Sequence, residues 1–458
     1  MPGSNQERPL LMKVFAKKFL FFALTAALWS VFLWFSFFAR TDEPMFDFIP
    51  VFAAARAVDN PGTAKHMYDR DPDHFNIVTD GPLFEIARSS GFRMIPTPFV
   101  YPPLYAWIMK PLAQLEYPTA RTVLTFVNAC AFVLGIFLVS LSVLDAFPLR
   151  WILLSVPLLC AGFSPIAYSS SLGQITPLIF CAVCLSLHLI QRGREIPAGI
   201  LLGAVFAVKL FPLGIMIMMI PYRRFRALTA ALATWAAFLL LSAAFSGVTV
   251  TGRYLETIFS IASSGSVAAW NNQTVTGMLL RMVSDSSAAF HWGYINPGWW
   301  ITLSDGIITI IFLAWSVLIP CRYFNLRESS GRLPVTADSN TLNALMFSQG
   351  ILLSFILAPI SWSHYHILAI VPACMAVILI MHEHSLNKHR LLIFPAIAWI
   401  LLSIDPAAIA HSLLQPRPGI STGGIASLAV STGLMGVFIL FVTLNLLATS
   451  AGGDKTRV

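Results

Sequence analysis

KFLFFALTAALWSVFLWFSFF, residues 18–38, contains no acid and no base beyond its opening lysine. Its length matches the roughly 20 residues that cross the hydrocarbon core of a bilayer as a helix. Comparable runs recur at 121–143, 226–246, 299–320 and 423–447, with shorter ones near 151–169, 175–190, 342–359, 365–381 and 391–404. Of the 458 residues 57% are hydrophobic and only 11% are charged, too few charges to coat a soluble globule of that size. The pattern predicts an all-α polytopic membrane protein of about 10–12 transmembrane helices plus short interfacial or re-entrant helices. With no internal repeat and no long linker, one membrane domain over 1–458 is the simplest organisation.

The net charge of +8 does not point to nucleic acid, because the basic residues sit in small groups at the ends of apolar runs, where they act as topology signals. Lys13, Lys17 and Lys18 before the first run place the N-terminus in the cytoplasm. That run is long, is followed by acids and lacks a cleavage site, so it reads as a retained span and not a signal peptide. The loop 39–99 then lies outside, in keeping with its excess of acids. Segment 100–115 is short and opens on prolines, as an interfacial or re-entrant piece would. The six cysteines imply no disulfide framework, and the pair Cys181 and Cys184 reads as helix packing.

Arginines flank both ends of 197–221, so this segment reads as two half-helices meeting near Lys209 and Pro212. The alternative makes full crossings of both neighbouring segments and puts arginines on the wrong side. Downstream the parity places 247–298 and the SWSH turn outside and the C-terminal tail in the cytoplasm. Polar groups from distant parts of the chain thereby converge on the outer face: Asp47, Tyr101, Gln174, Asn271, Asn272, Trp362, His364 and His366. Such convergence marks a cavity or a contact surface.

Each of these groups has two readings. In MFDFIPVFAAARAV (45–58), Asp47 suits a helix N-cap before Pro50, and equally a general base. A lysine at mid-membrane depth costs roughly 2.5–3.5 kcal/mol on insertion scales, so Lys209 faces a cavity or an anion, or snorkels. Asn271, Asn272 and Arg281 suit sugar hydroxyls and a phosphate, or a plain surface loop. His364 and His366, two apart and beside Trp362 and Tyr365, do not share a helix face and form no joint metal site. They are either interfacial residues or donors to a phosphate or sugar oxygen. The DPD at 71–73 reads as a turn.

The order DFIPVFAAARAVDNPGTAKHMYD (47–69), VYPPLYAWIMKPLAQL (100–115), SLGQITPLIF (171–180), AGILLGAVFAVKLFP (198–212), NNQTVTGMLLR (271–281) and SWSHYHILAIVP (361–372) resembles the glycosyltransferase family 87 enzymes. These are bacterial polyprenyl-phosphate-mannose-dependent α-mannosyltransferases of the GT-C fold, and the similarity runs from about 40 to 380. The resemblance implies transfer of a hexose from a lipid-linked sugar phosphate to a lipid or glycan hydroxyl on the outer face of the inner membrane. Asp47 falls where such enzymes carry the catalytic acid of the first outer loop; Tyr101, Gln174, Lys209, Asn271, Asn272, Arg281, Trp362, His364 and His366 become substrate-contact candidates. The lipid-linked sugar is a substrate, and no cofactor or metal is implied. Attack opposite the phosphate would invert the anomeric centre. Mannose, arabinose, glucose and galactose stay open as the sugar, and a secondary transporter built on the break at Lys209 and Pro212 stays the rival.

Overall fold

In lipid every backbone N–H and C=O must find its partner inside the protein, which confines an apolar chain of this kind to helices. The computed structural model describes residues 7–39, 44–69, 78–144, 147–263, 265–330, 339–382, 388–414 and 424–450, and these are predominantly helical. Seven helices among them are long and apolar enough to span: Ala16–Phe38, Tyr117–Ser142, Phe225–Ser246, Trp299–Cys321, Ser339–Leu357, Ser363–His382 and Thr432–Thr449. Two bent pairs, Leu149–Cys160 with Ser164–Leu172 and His389–Ser403 with Pro406–Leu413, raise this to nine if each is one span. Phe48–Ala57, Thr176–Gln191 and Glu195–Val208 are shorter apolar helices. Two short strands, Ser266–Val267 and Tyr294–Ile295, pair antiparallel, with Ser266 opposite Ile295.

Ser339–Leu357 and Ser363–His382 form the middle of the bundle, whereas Phe225–Ser246 and Trp299–Cys321 lie at its periphery and turn leucine and isoleucine outward. Helix pairs close up through glycine, as expected where dispersion and not water drives packing. Gly199 and Gly203, four apart, face Phe225–Ser246 so closely that an added Cβ would lie 2.1 Å from the Ala227 oxygen and 2.3 Å from the Ala231 oxygen. Gly214 and Gly350 meet in the same way, a Cβ on Gly214 falling 2.3 Å from the Gly350 oxygen.

The break expected near Lys209 and Pro212 is present. Helix Glu195–Val208 ends at Lys209, whose backbone is extended, and Leu213–Met218 starts after Pro212. Segment 100–115 is the short helix Pro103–Ala113, packed on Phe48–Ala57 and tied to the Phe225–Ser246 helix by Leu104 N–H to Ser242 Oγ (3.2 Å) and Trp107 Nε1–H to Ser246 Oγ (2.9 Å).

The run at 151–169, expected to be continuous, bends by 70° between Cys160 and Ser164; that at 391–404 ends at its expected bound, and a second helix, Pro406–Leu413, leaves it at 68° after Asp405. Pro165 and Pro406 open the second halves; a proline offers no N–H to the preceding turn and pushes the residue before it out of the α region. The two elbows touch. Phe163 stacks on Trp399 with ring centres 4.3 Å apart, and Trp399 Nε1–H donates to the Leu159 oxygen at 3.1 Å.

Gly203→Val, which drives a side chain into the Ala231 carbonyl, is expected to lower stability by about 1–3 kcal/mol, read as an earlier thermal transition in detergent. Gly252, with nothing within 4 Å of an added Cβ, accepts alanine without loss and serves as the control.

Candidate active site

Asp47 immediately precedes helix Phe48–Ala57, where the sequence suggests a cap, yet its side chain makes no capping bond. Its backbone N–H donates instead to the Leu172 oxygen at 3.0 Å. Its carboxylate turns aside and accepts from Gln174 Nε2 at 2.6 Å and from Thr97 Oγ1 at 3.3 Å. Burial raises the pKa above the ordinary 3.8; the Gln174 bond, the Lys209 charge and the Thr97 bond pull the other way without cancelling it.

Gln174 reaches this carboxylate because helix Ser164–Leu172 stops at Gly173, which adopts φ 72°. A Cβ there would stand 2.7 Å from the Cβ atoms of both Met45 and Phe48. Glycine is therefore required twice, for the left-handed turn and for the close approach of the Asp47 loop. The Gln174 carbonyl accepts from Asn128 Nδ2 at 2.9 Å, which fixes the backbone. Its side-chain Oε1 accepts from Lys209 Nζ, and from the Tyr101 hydroxyl at 3.4 Å. One amide thus stands between a carboxylate and an ammonium, its two ends assigned by their charges.

Lys209 occupies the extended residue between the two half-helices, with its Nζ 4.6 Å from the Tyr365 ring centre and 3.4 Å from the Tyr365 hydroxyl. Asp47, Thr97, Tyr101, Gln174, Lys209 and Tyr365 line a cavity of about 880 Å³, a size suited to a substantial ligand. Its lining is apolar at Leu210, Phe211, Leu213 and Leu357. Elsewhere it is bounded by Tyr168, Trp270, Asn271, Trp292, Trp362 and Asp405.

Of the residues singled out by sequence, Asp47, Tyr101, Gln174, Lys209, Asn271, Trp362 and His364 share this cavity. Three others are placed elsewhere. Arg281 is fully buried and donates to the backbone oxygens of Ala268, Ala269 and Asn272 (3.3, 2.9 and 2.8 Å) and to Ser431 Oγ (2.8 Å). Asn272 donates to the Val267 oxygen at 2.7 Å and accepts from Ser361 N–H at 3.1 Å. Both close a buried loop. His366 packs against Phe355 and beside Gly433, in a separate small crevice. The DPD at 71–73 lies outside the described residues.

Sequence reasoning missed Thr97, Tyr168, Trp292 and Asp405. Asp405 carries the one readable signal, an Asp-Pro at a helix start, and its Oδ1 does accept from Ala407 N–H at 3.0 Å. Among the described residues no three His, Cys, Asp or Glu side chains gather as a metal site.

Residues 99–354 match the family model of glycosyltransferase family 87; the range includes Tyr101, Gln174, Lys209 and Asn271 and leaves out Asp47 and His364. Two curated relatives carry the description polyprenol-phosphate-mannose-dependent alpha-(1-2)-phosphatidylinositol mannoside mannosyltransferase. The one from Mycobacterium tuberculosis is 24% identical over 293 residues, covering 61% of this chain and 62% of the relative. The one from Mycolicibacterium smegmatis is 23% identical over 303 residues, covering 63% and 62%. The match thus spans somewhat under two thirds of those relatives' length. No solved structure matches the chain.

Because the Arg281 guanidinium is bonded to three backbone oxygens and lies outside the cavity, Arg281→Met is expected to act on folding. Stranding these acceptors costs about 1–3 kcal/mol, measurable as a lowered thermal transition of the purified protein with no ligand added.

Proposed function

The chain belongs to glycosyltransferase family 87, and on that premise we propose that it transfers a hexose, with mannose as the first sugar to test, from a polyprenyl-phosphate sugar to a hydroxyl of a lipid or glycan acceptor. The observation that carries this reading is the Asp47 carboxylate held at a large cavity with the Lys209 ammonium one amide away. The names of the two relatives support the donor class.

In this reading the acceptor oxygen attacks the anomeric carbon and the bond from that carbon to the phosphate oxygen breaks, with the electron pair leaving on the phosphate. Asp47 takes the acceptor's proton, as a general base must. Gln174 and Thr97 orient the carboxylate, and burial raises its proton affinity toward the range in which a base works at neutral pH. Lys209 faces the charge that grows on the departing phosphate, where a preorganised cation in a water-poor site counts for most. The apolar lining at Leu210, Leu213 and Leu357 suits the polyprenyl chain. Attack from the face opposite the phosphate inverts the anomeric centre, so a β-linked donor gives an α product. The reaction is written without a metal, the phosphate being met by Lys209.

By the lysine and arginine distribution, both termini lie in the cytoplasm and the cavity opens on the outer face of a bacterial inner membrane. The transporter reading rested on the broken helix alone. That break now has another use, since it presents Lys209 to Gln174.

Asp47→Asn is expected to reduce transfer from polyprenyl-phosphate mannose by about 10²–10⁴-fold, with the purified protein eluting as the wild type; full activity would refute the assignment. Lys209→Met is expected to lose about 10²–10³-fold, chiefly in kcat. Since the base must be ionised and its pKa lies above 3.8, wild-type activity falls tenfold per unit as pH drops below that raised pKa. The residual activity of Asp47→Asn lacks this acidic limb, as a pH profile of kcat/KM will show.

A further inference from the structure

The helix that delivers Lys209 has a second end. Helix Glu195–Val208 packs on Phe225–Ser246 with Gly199 against Ala227 and Gly203 against Ala231, so the contacts advance along both segments in the same direction and the two helices run parallel. Both therefore begin at the same end of the bundle. The 14 residues of the first helix extend roughly 20 Å, which separates that end from Lys209 and the cavity.

The turns that open these helices, QRGREI (191–196) and IPYRRFR (220–226), hold five arginines and one acid, Glu195. The acid is already engaged. Glu195 Oε1 accepts from Arg224 Nη1 at 2.9 Å, and Arg224 Nη2 donates to Asn343 Oδ1 at 2.6 Å, which knits both turns to the start of helix Ser339–Leu357. Gln191 Nε2 fastens the first turn again, donating to the Ser142 oxygen at 2.8 Å and the Asn340 oxygen at 3.2 Å. Around this knot Arg192, Arg194 and Arg226 stand exposed, and so do Ile196 and Phe225.

A guanidinium meets phosphate oxygens through paired N–H donors, and apolar side chains exposed at the end of a membrane helix meet acyl chains. The two together match a phospholipid, with its phosphate at the arginines and its chains against Ile196 and Phe225. Excess positive charge favours a headgroup with net negative charge over a zwitterionic one. A topology signal requires the charge alone; it requires neither turns bonded side by side nor apolar residues among the arginines.

We infer that the surface formed by Arg192, Arg194 and Arg226, with Ile196 and Phe225 beside them, is a docking site for an anionic phospholipid of the adjoining leaflet. The site lies at the end of the helix pair remote from the cavity. It does not rest on the transferase reading and survives that reading's failure.

Native mass spectrometry of the purified full chain tests it, with dioleoyl phosphatidylglycerol and dioleoyl phosphatidylcholine titrated separately, lipids of the same chains and different charge. The wild type is expected to bind the anionic lipid at least tenfold more tightly; equal affinity overturns the site. Arg192→Gln/Arg194→Gln/Arg226→Gln is expected to bring the preference within twofold. Arg150→Gln/Arg390→Gln, which alters exposed arginines on helices packed elsewhere, is expected to keep it. A preference retained by the triple variant overturns the site, and so does an equal loss in both variants, which assigns the effect to overall charge. Should the triple variant not fold, Arg194→Gln alone is expected to lose at least threefold, and no loss overturns the site. Phosphatidylglycerol that stays bound in excess inorganic phosphate supports a lipid occupant; its displacement gives the arginines to a soluble anion and overturns the lipid assignment.

Discussion

One amide governs the site. Gln174 gives its N–H to the Asp47 carboxylate and takes a proton-bearing bond from Lys209, so an acid and a base lining one buried part of the cavity are kept near each other without direct contact. A direct ion pair in such surroundings would be held firmly by Coulomb attraction, and each partner would be occupied with the other. With an amide between them, neither side chain is engaged directly by the other. The rest of the bundle serves to keep that amide in place: Asn128 holds its backbone, Gly173 lets the Asp47 loop come close, and the break after Val208 delivers the lysine.

Broken helices are the means by which a lipid-embedded protein places polar groups inward, since irregular backbone is tolerated there only around a cavity or within protein. Three breaks do so here. The first frees Lys209, the second, at 161–163, starts the helix that leads to Gln174, and the third sets Asp405 at the start of Pro406–Leu413. The last two are joined through Phe163 and Trp399. The cavity is thus bounded by helix ends more than by helix faces.

Much of this was legible because polar residues at the ends of apolar runs are costly and so carry information. Lys209 with its arginine-flanked segment announced a break, and the topology put Asp47, Tyr101, Gln174, Asn271, Trp362 and His364 on one side. Arg281, Asn272 and His366 looked the same in sequence, because a buried loop needs donors for its own carbonyls just as a ligand needs them. Arg281, bonded to three such carbonyls, is that case. Tyr168 and Trp292 left no trace, one lying in a run read as a continuous span and the other in a loop whose fold depends on distant partners. The elbow at 161–163 did carry a signal, Gly162 and Pro165 inside an apolar run, which the overall hydropathy of 151–169 masked.

The stacked elbows bear on how the protein is made. Trp399 donates to an oxygen 240 residues earlier in the chain, and chains leave the ribosome N-terminus first. Asp47, Gln174 and Lys209 are all synthesised before Trp399 and Asp405, so the arrangement around the Gln174 amide can assemble while the far wall is still missing. The nascent protein therefore passes through a stage with its most polar groups facing an unfinished bundle. Closure of the cavity waits for the last helices, and the C-terminal part of the chain acts as the keystone.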